Sequence, residues 1–108
     1  MTVEELAKKT GLTTVTLPDA SREISGAYVG DLLSWVMGRA SSDNAWITIM
    51  SNINVVAVAT LADVGCVILA EGVTPDAELI GVAEAKGVNI LTSPFSSYET
   101  AVRISEYV

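Results

Sequence analysis

Residues 46–70 read WITIMSNINVVAVATLADVGCVILA, and the two ends of this stretch are plainer than its middle. Trp46 to Met50 is apolar with β-branched residues at its centre, which predicts a strand. Cys66 to Ala70 is apolar without interruption, as expected of a strand covered on both faces. Residues 55–64 between them admit two readings. Val55-Val56-Ala57-Val58-Ala59 alternates like a strand, yet Asn52 and Asn54 can cap a helix, and two parallel strands need a crossover between them. The helix is the preferred reading. Apolar on all sides, it is expected to be buried, with a dimer interface as its natural place.

Outward from this unit the pattern repeats. Thr2 and Glu5 have capping-box spacing for a helix over residues 2–10 that Gly11 ends. Thr13 to Leu17 reads as a strand, and Pro18 to Ser21 as a turn. Ile24 to Gly30 shows no clear period. Gly26 and Gly30 bracket Ala27-Tyr28-Val29, and Asp31 is placed to cap a helix over Leu32, Leu33, Trp35, Val36 and Met37. Thr74 is the expected cap of a helix with Pro75 in its first position, Leu79, Ile80 and Ala83 on its buried stripe and Gly87 closing it. Val88 to Thr92 predicts a strand. Ser96 and Glu99 open a last helix, to about Tyr107, with Tyr98, Ala101, Val102 and Ser105 on one face. One helix followed by four strand–helix units implies an α/β fold, a three-layer α/β/α sandwich with a mainly parallel sheet of four or more strands. No linker or repeat divides the chain, so residues 1–108 are expected to form a single domain.

Half of the 108 residues are apolar and the mean hydropathy is +0.46, which is oily for so short a chain. Part of that apolar surface should lie in a subunit interface, most simply that of a homodimer. Six basic residues against thirteen acidic ones give a net charge of −7. The basic ones are scattered, which argues against nucleic acid and against an anionic membrane as partners. The longest uncharged stretch, Asn44 to Ala62, is near membrane-spanning length, but Thr48, Ser51, Asn52 and Asn54 fall at its middle, so no span is expected. The sole cysteine, Cys66, lies in an apolar run and fits a reducing, cytoplasmic setting. Residues 1–11, with Glu4, Glu5, Lys8 and Lys9, do not resemble a secretory leader.

Ligands of a parallel sheet collect beyond the carboxyl ends of its strands. Four loops are expected there: Ser25 to Asp31, Ser51 to Asn54, Glu71 to Asp76 and Thr92 to Ser97. They offer Ser25, Gly26, Tyr28, Ser51, Asn52, Asn54, Thr92 and Ser93 as ligand or interface candidates. Capping of helices and turns would explain the same hydroxyls and amides. Catalytic means are few. The chain has no histidine, so a Ser-His-Asp triad and His-based metal sites are excluded, and one cysteine cannot hold zinc. No metal and no cofactor are expected. Asp31, Asp63, Glu71 and Asp76 are better read as helix caps and solvated ends than as a catalytic pair. Gly26 to Gly30 precedes a helix start, where anions bind, but it matches neither phosphate-loop pattern, and Asp31 would repel an anion there. Trp35 and Trp46 fall on apolar elements and read as core or interface. Tyr28, between glycines, is the aromatic residue expected to make a contact.

Together the residues Arg22-Glu23-Ile24-Ser25-Gly26-Ala27-Tyr28-Val29-Gly30-Asp31-Leu32-Leu33-Ser34, Trp46-Ile47-Thr48-Ile49, Gly72-Val73-Thr74-Pro75-Asp76 and Ala83 to Leu91 resemble the DRTGG domain family. Ser21-Arg22 followed by Ser25-Gly26-Ala27 is the nearest echo of the family's letters, and it adds Arg22 to the candidates. Some relatives carry Asp-Arg in the loop after the second strand, where this chain has Ser51-Asn52. The resemblance implies a fold similar to the amino-terminal domain of HPr kinase and a regulatory or accessory role. Such domains accompany CBS domains in some pyrophosphatases and precede some phosphate acetyltransferases, and free-standing copies accompany redox or hydrogenase systems. The function expected from all this is a non-catalytic module acting through homodimerisation and binding of a partner enzyme or regulatory protein. The alternative is a sensor of a small ligand, such as a nucleotide or phosphorylated metabolite, at the loop rim.

Overall fold

Five helices and five strands follow one another along residues 1–108, all described by the computed structural model: α1 (Val3–Thr10), β1 (Thr13–Thr16), β2 (Ala27–Val29), α2 (Leu33–Arg39), β3 (Ala45–Thr48), α3 (Asn54–Ala62), β4 (Cys66–Leu69), α4 (Ala77–Lys86), β5 (Ile90–Thr92) and α5 (Ser97–Ile104). The strands form one sheet in the order β1-β5-β4-β3-β2. Neighbours from β2 to β5 are parallel, and β1 alone runs antiparallel, on β5. This is the expected mainly parallel α/β sheet with one antiparallel edge.

Strand side chains alternate between the two faces and so feed two cores. Trp46, Val67, Leu69 and Ile90 pack with Val36 of α2, Val55, Val56 and Ala59 of α3, and Leu79 and Ala83 of α4. Ala45, Ile47, Cys66, Ile68 and Leu91 pack with Val3, Leu6 and Ala7 of α1 and Ile104 of α5. Every residue of β3 and β4 is buried, which accounts for the unbroken apolar run of β4 and for a β3 that is apolar up to Thr48. Each large side chain of these cores stabilises the fold by about 1.5–3 kcal/mol relative to exposure.

Residues 55–64 settle as helix, ending at Asp63 in the left-handed conformation. Asn52 does not cap α3 directly. Its Oδ1 accepts from the backbone N–H of Asn54 at 2.9 Å, and the cap position is Ile53. Nor is α3 buried all round: Asn54, Ala57, Thr60 and Leu61 face outward. Thr2 and Glu5 make the full capping box, and Gly11 and Gly87 close α1 and α4 in the left-handed region.

Several expectations are corrected. The segment without a clear period contains β2, a three-residue edge strand too short to show alternation. β1 is followed by β2 and not by a helix, so the four strand–helix units begin at β2. Asp31 does not cap α2. It lies one residue early, and its Oδ1 instead accepts from Thr48 Oγ1 at 2.8 Å and from the N–H of Ile49 at 2.9 Å, tying the end of β2 to the end of β3. Asp76, not Thr74, caps α4: its Oδ1 accepts from the Leu79 N–H at 2.8 Å, the helix starts at Ala77, and Pro75 stays in the loop. On α5 the buried residues are Thr100 and Ile104, while Tyr98, Val102 and Ser105 point outward.

Candidate functional site

Because β2 to β5 are parallel, their carboxyl ends share one edge of the sheet, and β1, running the other way, begins there: Thr13 pairs with Thr92. Ser51, Asn52, Asn54, Thr92 and Ser93 lie at this carboxyl edge. Arg22, Ser25 and Gly26 precede β2 and lie at the opposite, amino edge. Tyr28 lies within β2 itself, half-buried, and not in a loop. The expected rim is therefore divided between two ends of the molecule.

The amino edge is closed by Arg22. Its Nε donates to Asp43 Oδ1 at 2.9 Å, and Nη2 donates to Asp63 Oδ1 at 3.0 Å and to the Asp63 carbonyl at 2.8 Å. Asp43 and Asp63 both have positive φ, 68° and 58°. The Ser42 hydroxyl donates to the other carboxylate oxygen of Asp63. These bonds, from the Ser42 hydroxyl first and then from Arg22, hold the Asp63 carboxyl below the usual carboxylate range. Partial desolvation opposes charge on Arg22, but its hydrogen bonds to Asp43 and Asp63 outweigh it and raise the guanidinium pKa. Asn44 Nδ2 donates to the Ser25 carbonyl at 2.8 Å, and the Ser25 N–H donates to the Asp43 carbonyl at 3.0 Å. A Cβ on Gly65 would lie 2.3 Å from Ile24 Cδ1, so the loop before β4 requires glycine at this crossing. Nearby, burial pushes the Cys66 thiol up to about 12, which leaves it an unreactive core residue.

The carboxyl edge is open and falls into two halves. On the β4–β5–β1 side a cleft of about 420 Å³ is lined by Thr13, Thr74, Thr92 and Ser93 with Val15, Val73, Ile80, Pro75, Pro94 and Gly72. None of these residues is charged. The Ser93 hydroxyl is not free for a ligand: it is buried, 2.8 Å from Thr100 Oγ1, and accepts from the Phe95 N–H at 3.2 Å. The floor of the cleft is held by the turn at Glu71 and Gly72, whose φ values are 62° and 71°. The Gly72 N–H donates to the Ser93 carbonyl at 3.0 Å, and Glu71 Oε2 accepts from the Ser97 N–H at 2.9 Å.

The β2–β3 side of the edge is apolar. Leu32 (57% exposed), Trp35 (52%), Ile49 (42%) and Ile53 (42%) all stand at or near the starts of α2 and α3. Arg39 lies over the Trp35 ring, 3.8 Å from its centre. Beneath them Trp46 is wholly buried, and its Nε1 donates to the Gly30 carbonyl at 2.9 Å. The Tyr28 ring occupies the space beside Gly30, where a Cβ would lie 2.8 Å from Tyr28 Cε2. The apolar surface continues along the outside of α3 into a groove of about 480 Å³ against α4, lined by Ile53, Ala57, Leu61 and Val82, with Lys86 its one charged residue.

Thr13, Val15, Thr74, Pro75 and Ile80 of the cleft were not foreseen as site residues. The antiparallel pairing of β1 with β5 brings Thr13 and Val15 there, and no local pattern announces a pairing between segments so far apart, whereas Thr74 and Pro75 belong to a loop expected at this edge. Leu61 and Ile53 had a signal, the absence of charge from α3. No group of three or more His, Cys, Asp or Glu side chains converges on one point, and no helix is long and apolar enough to cross a membrane.

The family model of the DRTGG domain matches residues 5–107. No curated protein matches the sequence. Among solved structures, that of the CBS and DRTGG domains of the regulatory region of Clostridium perfringens pyrophosphatase, complexed with its activator diadenosine tetraphosphate, is similar with a TM-score of 0.76 at 15% identity. The likeness covers 95% of this chain and 45% of that one, so this chain spans less than half the length of its neighbour.

Proposed function

The chain belongs to the DRTGG domain family, and from that premise we propose that it is a non-catalytic regulatory module that works by self-association and by docking on a partner protein. The outer face of α3 carries the reading. Ile53, Ala57 and Leu61 recur at every fourth residue, Leu61 is 75% exposed, and no acidic or basic side chain interrupts the helix. In a twofold contact each patch meets its own copy, so a charged patch would repel itself. For a chain of net charge −7 an uncharged apolar stripe is the surface on which two copies meet at least electrostatic cost. The neighbouring pyrophosphatase supports the regulatory setting, since its DRTGG domain lies in a regulatory region. The buried free thiol of Cys66 fits a reducing cytosol.

Sedimentation at micromolar concentration tests this. The wild-type chain should run as a dimer, and Leu61→Asp should run as a monomer that still unfolds cooperatively, its midpoint lowered only by the stabilisation that association gives. A monomeric wild type would overturn self-association, and pull-down from a lysate with wild type against Leu61→Asp would then test the partner alone.

A second reading, ligand sensing, is favoured by the cleft at the carboxyl edge, the place where parallel sheets bind small molecules. Thr92 is the residue of the expected rim that it retains as a contact. Ser51, Asn52 and Asn54 go with the apolar half and the docking function.

A further inference from the structure

Phosphate groups at the carboxyl edge of a parallel sheet are ordinarily held by helix N-termini, by free backbone N–H groups of a turn, or by lysine and arginine. At the cleft beside β5 cations are missing, each helix start already carries a carboxylate, and three N–H groups of the turn are bonded. The start of α4 holds the Asp76 carboxylate, 2.8 Å from the Leu79 N–H. The start of α5 holds Ser96 Oγ on the Glu99 N–H at 3.0 Å and the Glu71 carboxylate on the Ser97 N–H at 2.9 Å. The turn N–H groups of Glu71, Gly72 and Val73 donate to the carbonyls of Phe95, Ser93 and Ala70. No lysine or arginine lines the cleft. Lys8 and Lys9 end α1, which packs on the other face of the sheet.

What the cleft does present is the threonines Thr13, Thr74 and Thr92 together with the apolar Val73, Pro75 and Ile80. Its volume, about 420 Å³, lies in the range of small-molecule pockets. Hydroxyl-bearing side chains set among apolar ones match a compound with one flat apolar ring and several hydroxyl groups. We propose that this cleft binds an uncharged compound of nucleoside type and size and discriminates against its phosphorylated form. The proposal rests on the ligand-sensing reading and adds to it the charge class of the ligand.

Backbone amide shifts of the ¹⁵N-labelled protein, followed at Thr13, Val73, Thr74 and Thr92, test it with matched pairs: adenosine, guanosine, cytidine and uridine, each against its 5′-monophosphate. At least one nucleoside should shift these amides and bind at least ~10-fold more tightly than its monophosphate, the factor that one unfavourable charge contact in a site without cations produces. A monophosphate that shifts the same amides with equal or higher affinity would overturn the charge inference and leave the cleft as a binding site. If neither nucleosides nor monophosphates shift them, the inference and the sensing reading both fail. The double variant Glu71→Gln with Asp76→Asn keeps an acceptor at both helix starts and removes both charges. It should narrow the preference by roughly two- to fivefold for each charge removed, the size of a carboxylate's effect at a helix start. An unchanged preference in that folded variant would show that these carboxylates do not set it.

Discussion

Arg22 and Thr92 stand at opposite ends of the same parallel strands, and the chain treats the two ends differently. At the amino edge one guanidinium reaches the loops before β3 and β4 through its Nε and Nη2. At the carboxyl edge the starts of α4 and α5 are capped separately, those of α2 and α3 have no side-chain cap, and among the starts lie a cleft and an apolar shelf. Helix polarity explains the division. The crossover helices arrive at the amino edge with their carbonyl ends, and Arg22 donates to the carbonyl of Asp63, the residue that ends α3. They leave the carboxyl edge with their N–H ends, which the carboxylates of Asp76 and Glu71 accept from. Arginine is thus placed where it holds the fold, and the edge with room for a ligand is left without cations. Arg22, the residue nearest to the family's name, is here a staple between the loops before β3 and β4.

The largest effect that would break this contrast is loss of the staple. Arg22→Ala removes hydrogen bonds to two carboxylates and a carbonyl from a side chain only 25% exposed, and should cost about 2 kcal/mol. Thr74→Ala, on the open edge, should stay within about 0.5 kcal/mol of wild type. Urea denaturation of both variants decides the point, because equal losses would mean that the edges do not differ in how firmly they are held. Arg22→Lys keeps the charge but not the fork that spans Asp43 and Asp63, and should lose about half as much as the alanine variant.

Acid should sharpen the same comparison. The Asp63 carboxyl titrates below its unfolded value because of Ser42 and Arg22. A group depressed in this way stabilises the folded state above its unfolded pKa, and that contribution is lost as pH falls through the folded value. The urea midpoint should therefore fall below about pH 4. The gap between wild type and Arg22→Ala should narrow over the same range, as protonated Asp63 no longer pairs with the arginine. A gap that stays constant down to about pH 3 would show that the pair contributes nothing to the edge.

Much of this fold could be read from the chain, and the exceptions share a cause. β3 and β4 announce themselves because all their residues are buried, and α1 because its cap and terminating glycine are local. β2 is silent because an edge strand of three residues, with Ala27 and Val29 exposed, has no period to show. The direction of β1 is silent because its partner lies at the far end of the chain, and with it went the Thr13 and Val15 side of the cleft. Arg22 entered the candidates through the family resemblance, and because its acceptors, Asp43 and Asp63, are remote in sequence, nothing near it showed that its charge was engaged. Local chemistry was legible, and what depended on segments meeting was not.

The smallest effect concerns the open edge alone. Asp76→Asn keeps an oxygen to accept from the Leu79 N–H and gives up only the charge at the start of α4, so it should cost a few tenths of a kcal/mol at about neutral pH. Asp76→Ala gives up the acceptor as well and should cost about 1 kcal/mol. If the two variants lose the same amount, the charge is what steadies this helix, and the carboxylate beside the cleft belongs to the fold in the way that Arg22 does. If asparagine is nearly neutral, the hydrogen bond suffices for the fold, and the negative charge is left over for a task at the cleft mouth. Thermal melts at low and high salt separate the two, because a charge–dipole contribution fades with ionic strength while a hydrogen bond does not.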